Sequence, residues 1–231
     1  MSDNGNGEGS GSGRPAGGEV AEGTRAARQP DLFYPIVPNI DWMRRLVPLG
    51  VKTIQLRLKD AEPGDINDQI AASIELCAAH DCQLIVNDYW RQAIDLGADY
   101  LHLGQEDLAG ADLAAIKAAG LQLGISTHSP EELTRALAAR PQYVALGPVY
   151  KTKLKAMTWP PQGPGKLTQW KAQIGALPLV AIAGITLELA PLVLAAGADS
   201  IAVITDFLTH ESPEARVQQW LVWADSNRAR S

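Results

Sequence analysis

From Asp31 onward the chain alternates between two hydrophobic patterns. Short, nearly continuous apolar runs mark strands buried on both faces, and each is followed by a stretch with apolar side chains three or four residues apart, the mark of an amphipathic helix. The runs predict strands at Leu32–Val37, Val51–Leu58, Cys82–Val86, Tyr100–Leu103, Leu121–Ile125, Tyr143–Leu146, Leu179–Ile182 and Ile201–Ile204. The helical stretches fall around Trp42–Leu49, at Ile66–Ala79 and Tyr89–Leu96, around Leu113–Ala119, and at Glu131–Ala139, Lys166–Ile174, Leu187–Ala196 and Glu214–Trp223. Gly50, Gly97, Gly120 and Gly197 stand where helices give way to strands, as tight αβ connections require. Eight such units in ~200 residues predict an α/β fold of the (β/α)8 TIM-barrel type in preference to an open, doubly wound sheet.

Ahead of this pattern, residues 1–30 are rich in Gly, Ser, Glu and Ala and hold almost no large apolar side chains. Burial there cannot offset the entropy of ordering, so a disordered tail is expected, with residues 31–231 forming a single barrel domain. A chain that is 46% hydrophobic and 20% charged fits that assignment. A net charge of −6 without a dense Lys/Arg run argues against a nucleic-acid partner. No apolar stretch reaches the ~18 residues that a membrane span needs. Cys77 and Cys82 have neither metal-ligand nor redox-motif spacing, and read as small buried hydrophobes in a reducing compartment. With no signal-like apolar segment at the N-terminus, a cytoplasmic enzyme is expected. Oligomeric state is left open, a homo-oligomer included.

In such a barrel the chemistry belongs to the loops at the carboxyl ends of the strands. Strand two alternates so that Gln55, Arg57 and Lys59 share the face opposite Ile54, Leu56 and Leu58, which would put two cations inside the barrel and imply an anion between them. Asn87-Asp88 ends strand three and Gln105-Glu106-Asp107 ends strand four. Asp88 alone could be a helix cap and Asp107 a solvated loop acid. At adjacent strand ends, beside cations, they suggest a phosphate–Mg²⁺ site, because Mg²⁺ is usually held by one or two carboxylates plus substrate phosphates. His102 is either a satisfied core histidine or a site residue, and Ser126 either a polar contact or part of a turn. Ser129-Pro130-Glu131-Glu132 looks like a helix start. The long segment from Gly147 to Gly165 carries Lys151, Lys153 and Lys155 and fits a lid. Gly184 and Thr205 follow strands seven and eight, the recurrent phosphate-binding position of these barrels. Two phosphorylated small-molecule substrates follow from two such regions at one mouth.

Five motifs carry a resemblance to a known family: Gln55-x-Arg57-x-Lys59-Asp60, Val86-Asn87-Asp88-Tyr89-Trp90-Arg91, His102-Leu103-Gly104-Gln105-Glu106-Asp107-Leu108, Gly124-Ile125-Ser126-Thr127-His128 and Ala145-Leu146-Gly147-Pro148-Val149-Tyr150. From about Phe33 to Leu208 the chain resembles the thiamine phosphate synthases. The resemblance implies a transferase that joins 4-amino-2-methyl-5-hydroxymethylpyrimidine diphosphate to a thiazole phosphate or its carboxylated form, giving thiamine phosphate and diphosphate. It implies Mg²⁺ at Asp88 and Asp107, diphosphate at Arg57, Lys59, Asn87 and Lys155, and the pyrimidine near Gln55, His102 and Ser126. It implies the thiazole phosphate near Thr152, Lys153, Leu154, Gly184, Ile204 and Thr205. Arg57, Lys59 and Lys155 are the residues expected to neutralise the leaving diphosphate. The chain departs from the family at Leu154, where a Thr is usual, at Ala183, where a Gly is usual, and at Thr205-Asp206-Phe207, where Ser-Ala-Ile is usual. Asp206 is expected to add negative charge close to the phosphate. A thiazole tautomerase, a phosphosugar aldolase or epimerase using Lys59, and a non-catalytic precursor-binding barrel are the alternatives.

Overall fold

In a computed structural model describing residues 28–59, 61–152 and 159–228, the apolar runs become parallel strands of one closed barrel, each bonded to the next and the last to the first. The strands are β1 (Phe33–Val37), β2 (Thr53–Leu56), β3 (Gln83–Asn87), β4 (Tyr100–Leu103), β5 (Gln122–Thr127), β6 (Tyr143–Leu146), β7 (Leu179–Ile182) and β8 (Ser200–Val203). Around them run α1 (Ile40–Leu46), α2 (Ile66–Ala79), α3 (Trp90–Asp95), α4 (Gln105–Gly110), α5 (Leu113–Ala118), α6 (Pro130–Ala138), α7 (Pro164–Ile174), α8 (Ala190–Ala195), α9 (Thr205–Leu208) and α10 (Pro213–Asn227). Two of these were not expected. The short helices α4 and α9 begin where the sequence suggested loops after strands four and eight.

Strand residues divide cleanly between two cores. Phe33, Val37, Ile54, Leu56, Val86, Leu101 and their counterparts face the helices, whereas Tyr34, Ile36, Ile85, Tyr100, Tyr143, Ala145, Val180 and Ala202 form a separate cluster inside the barrel. Burial on both faces is why the strands read as continuous apolar runs. The interior is filled by large rings opposite small residues. A Cβ at Gly124 would stand 2.0 Å from the Tyr143 ring, so the glycine is what lets that ring cross the barrel. The closing helix α10 is fixed to the barrel by Trp220, which stacks on Phe33 of β1 at 5.0 Å.

Helix starts follow the sequence. Asn39 and Asp112 cap α1 and α5 through side-chain acceptors. Ser129 accepts from Glu132 N at 3.3 Å, but the Glu132 carboxylate reaches the His128 N–H instead of the reciprocal Ser129 N–H, so the capping box is only half formed. Strand two is shorter than expected and ends at Leu56. Gln55 points inward and is buried, whereas Arg57 and Lys59 lie beyond the strand at the rim, Arg57 half-buried and the Lys59 side chain 47% exposed. Residues 1–27 of the expected tail and Lys153, Leu154 and Lys155 lie outside the described residues, whereas Arg28 and Pro30 are part of the fold, Arg28 O accepting from Gln83 Nε2 at 2.7 Å and Pro30 being buried. No helix among the described residues is long and apolar enough to cross a membrane.

Candidate active site

The turn after β3 is built to project one carboxylate. Asp88 adopts φ +68°, a left-handed backbone that costs a non-glycine residue about 1 kcal/mol. It is held there by its own N–H, which donates to His102 O at 2.9 Å, and by Trp90 N, which donates to Asp88 O at 2.8 Å. The Tyr89 hydroxyl donates to Leu58 O at 2.9 Å, tying the turn to the loop that carries Lys59. Asp88 is not the cap of α3, a position taken by Tyr89 without a side-chain bond. Its carboxylate instead takes Lys59 Nζ at 2.5 Å.

Asp107 comes to the same point from the first turn of α4. Burial, then the charge of the nearby Asp88 carboxylate and a hydrogen bond with it, raise the Asp107 pKa from its ordinary value, against the opposing pull of Lys59. Two carboxylates in contact favour a proton or a cation between them. No group of three or more His, Cys, Asp and Glu able to hold a metal exists among the described residues. A donor set of two carboxylates fits a hard ion that keeps water and substrate phosphate as its other ligands, as Mg²⁺ does.

Asn87, His102 and Gly124 lie at one level across β3, β4 and β5. His102 is buried, with Nδ1 2.7 Å from the Tyr143 hydroxyl and Nε2 2.8 Å from Ser126 Oγ. Burial pulls its pKa down to about 4, outweighing the opposite effect of Asp88 and aided by Arg57, so the ring is neutral at pH 7. Gln105 donates to Ser126 O at 2.7 Å, while its Oε1 is buried and has no hydrogen-bond partner among the described residues. Tyr143 and Gln105 were not singled out from the sequence. The inward parity of Tyr143 on β6 was the available signal, whereas nothing in the sequence indicated the fold-back of Gln105 onto Ser126.

The opposite side of the mouth is assembled from the loops after β6, β7 and β8. Val149 N and Tyr150 N donate to Ile182 O and Ala183 O at 3.0 and 3.1 Å, which sews the base of the long loop, and Thr152 after it, to the end of β7. Gly184 is required there, since a Cβ would stand 2.6 Å from the Tyr150 carbonyl oxygen. Ala183 shares its left-handed backbone, at φ +74°. Ile204 and Thr205 follow β8 at the start of α9. Asp206 departs from expectation, because its carboxylate turns away from the mouth. It accepts from Arg216 Nε at 2.8 Å and Trp220 Nε1 at 2.7 Å, and its side chain is only 9% exposed. Its charge is therefore matched inside the protein. The Arg57 guanidinium makes no hydrogen bond or ion pair with a described residue, and its charge is felt at His102.

The fold and this mouth define a (β/α)8-barrel enzyme with acids, cations and glycine loops gathered at the carboxyl ends of its strands. Residues 33–207 match the family described as thiamine monophosphate synthase. The thiamine-phosphate synthase of Rhizobium etli is 60% identical over 83% of this chain and 94% of its own, and that of Neisseria meningitidis serogroup A is 46% identical over 83% and 93%. Among solved structures, a thiamine phosphate pyrophosphorylase from Pyrococcus furiosus superposes with a TM-score of 0.74 at 25% identity, covering 85% of this chain and 96% of that one. The chain belongs to the thiamine monophosphate synthase family and is by family a transferase of thiamine biosynthesis.

Proposed function

We propose that this barrel joins the aminopyrimidine methyl diphosphate to the thiazole phosphate by a dissociative displacement, with Asp88 and Asp107 holding Mg²⁺. The observation that carries this reading is the contact of Asp88 with Asp107 beside Lys59, at the ends of neighbouring strands. Bound Mg²⁺ would supply positive charge to the departing diphosphate. Arg57, Lys59, Asn87 and Lys155 bind the diphosphate oxygens, and the three cations offset the charge that grows as the C–O bond breaks. The bonding electrons leave with the diphosphate. The methylene cation is stabilised by the electron-rich aminopyrimidine, which lies against Gln55, His102 and Ser126. The lone pair of the thiazole nitrogen then forms the new C–N bond. No protein nucleophile is needed, and neutral His102 orients the Ser126 hydroxyl without trading a proton with substrate. Thr152, Lys153, Leu154, Gly184, Ile204 and Thr205 receive the thiazole phosphate. Arg216 and Trp220 hold the Asp206 carboxylate turned away from the mouth, which leaves that half compatible with an anion.

Residues 31–231 are assigned as the catalytic unit, so deleting residues 1–27 should leave turnover unchanged. A cytoplasmic location fits two cysteines that are buried and free, and cell fractionation tests it. The central test combines both substrates with purified protein and Mg²⁺ and follows thiamine phosphate. Activity is expected, EDTA abolishes it, and Asp88→Asn lowers it by at least about 100-fold, the scale of losing a key electrostatic contact. Absence of product from folded protein at saturating substrates overturns the reading.

A further inference from the structure

Arg216 lies on α10, outside the barrel wall, and is 9% exposed. Its guanidinium takes both oxygens of Asp206, with Nε at 2.8 Å and Nη2 at 3.1 Å. Nη2 also reaches the two oxygens of Glu188 at 2.8 and 3.0 Å, while Nη1 donates to Gln219 at 3.0 Å. Asp206 directly follows Thr205. Glu188 stands just past Gly184-Ile185-Thr186, and Thr186, with Arg216, holds its pKa down to about 2. A single planar cation thus joins the segment after β7 to the segment after β8. The segment after β8 is itself anchored to the barrel, since Trp220 donates to Asp206 at 2.7 Å and stacks on Phe33.

We infer that Arg216 is a positioning residue for the thiazole phosphate, fixing the spacing between Gly184 and Thr205 through Glu188 and Asp206. This rests on the phosphate site proposed at Gly184, Ile204 and Thr205. Arg suits the task because its rigid fork satisfies two carboxylates at once, whereas a lysine ammonium acts as a point charge. The pyrimidine diphosphate is assigned to residues on or following β2 to β6, strands that the bridge between the segments after β7 and β8 does not join, so a loosened bridge should spare that substrate.

The test is steady-state kinetics on Arg216→Lys and Glu188→Gln with each substrate varied in turn. Misplacing a binding group by about 1 Å can cost up to roughly 100-fold. Arg216→Lys is expected to raise KM for the thiazole phosphate about tenfold, with kcat and KM for the pyrimidine diphosphate changed less than about twofold. Glu188→Gln, altered at a side chain 69% exposed and so safe for folding, should raise the same KM about threefold. It decides the matter alone if Arg216→Lys does not fold. Equal changes in both KM values, or no change in either, overturn the inference. Thr205→Ala separates the two levels. If it raises the thiazole KM while the Arg216 and Glu188 variants do not, the positioning role fails and the phosphate site stands; if it has no effect, the phosphate site itself fails, and the inference with it.

Discussion

His102 shows how a single buried side chain links the site to stability. Both ring nitrogens are engaged, one by Tyr143 and one by Ser126, and burial holds its pKa near 4. The folded state therefore resists protonation that the unfolded chain accepts near pH 6.5. Stability contributed by the neutral ring is complete above about pH 6.5 and is lost as pH falls toward 4, a change of up to about 3 kcal/mol. Urea unfolding between pH 7 and 4 should show this decline, and His102→Asn should flatten it; an unchanged slope in the variant would contradict the assignment. At this scale the sequence was partly informative. Asp88, Asp107 and Lys59 met as the motif pairing implied. Asp206 did not behave as expected, because adjacency to Thr205 gives position along the chain but not the direction of a side chain whose partner, Arg216, lies ten residues on.

The segment after β7 illustrates how one element is constrained by another. Ala183 and Gly184 both have left-handed backbones, yet they differ in what surrounds them. Changing Ala183→Gly removes the local steric cost and should raise stability by up to about 1 kcal/mol, less what the freer unfolded chain gains in entropy. Gly184→Ala would drive a methyl group against the Tyr150 and Lys151 carbonyls, 2.6 and 2.7 Å away, and should cost about 1–3 kcal/mol together with thiazole-phosphate binding. Thermal unfolding of the two variants checks both signs. Strand two was overextended from the sequence because Arg57-Leu58-Lys59 continues the alternation of Ile54-Gln55-Leu56 past Leu56, where the strand ends. Helix α4 was missed because it buries no residue and so shows no apolar stripe, and α9 because its 4 residues make little more than one turn.

Across the whole molecule the barrel was legible because strands buried on both faces, helices with one apolar stripe and glycine-punctuated turns all favour the same architecture. The arrangement of function around the mouth was legible in outline, since strand order fixes which loops are neighbours. The fine geometry was not, because it depends on contacts such as Arg216 with Glu188 that join residues 28 positions apart. With a net charge of −6, the overall field does not draw in two anionic substrates, so affinity must come from local groups. Asp88 and Asp107 are proposed to hold the ion that binds the diphosphate. Calorimetric titration of the pyrimidine diphosphate, with and without Mg²⁺, tests this most directly in the wild type and in Asp88→Asn and Asp107→Asn. Tight binding by the wild type is expected only with Mg²⁺, and the Mg²⁺ effect is expected to be largely lost in both variants while thiazole-phosphate binding persists; equal Mg²⁺ enhancement in all three proteins would rule Asp88 and Asp107 out as its ligands.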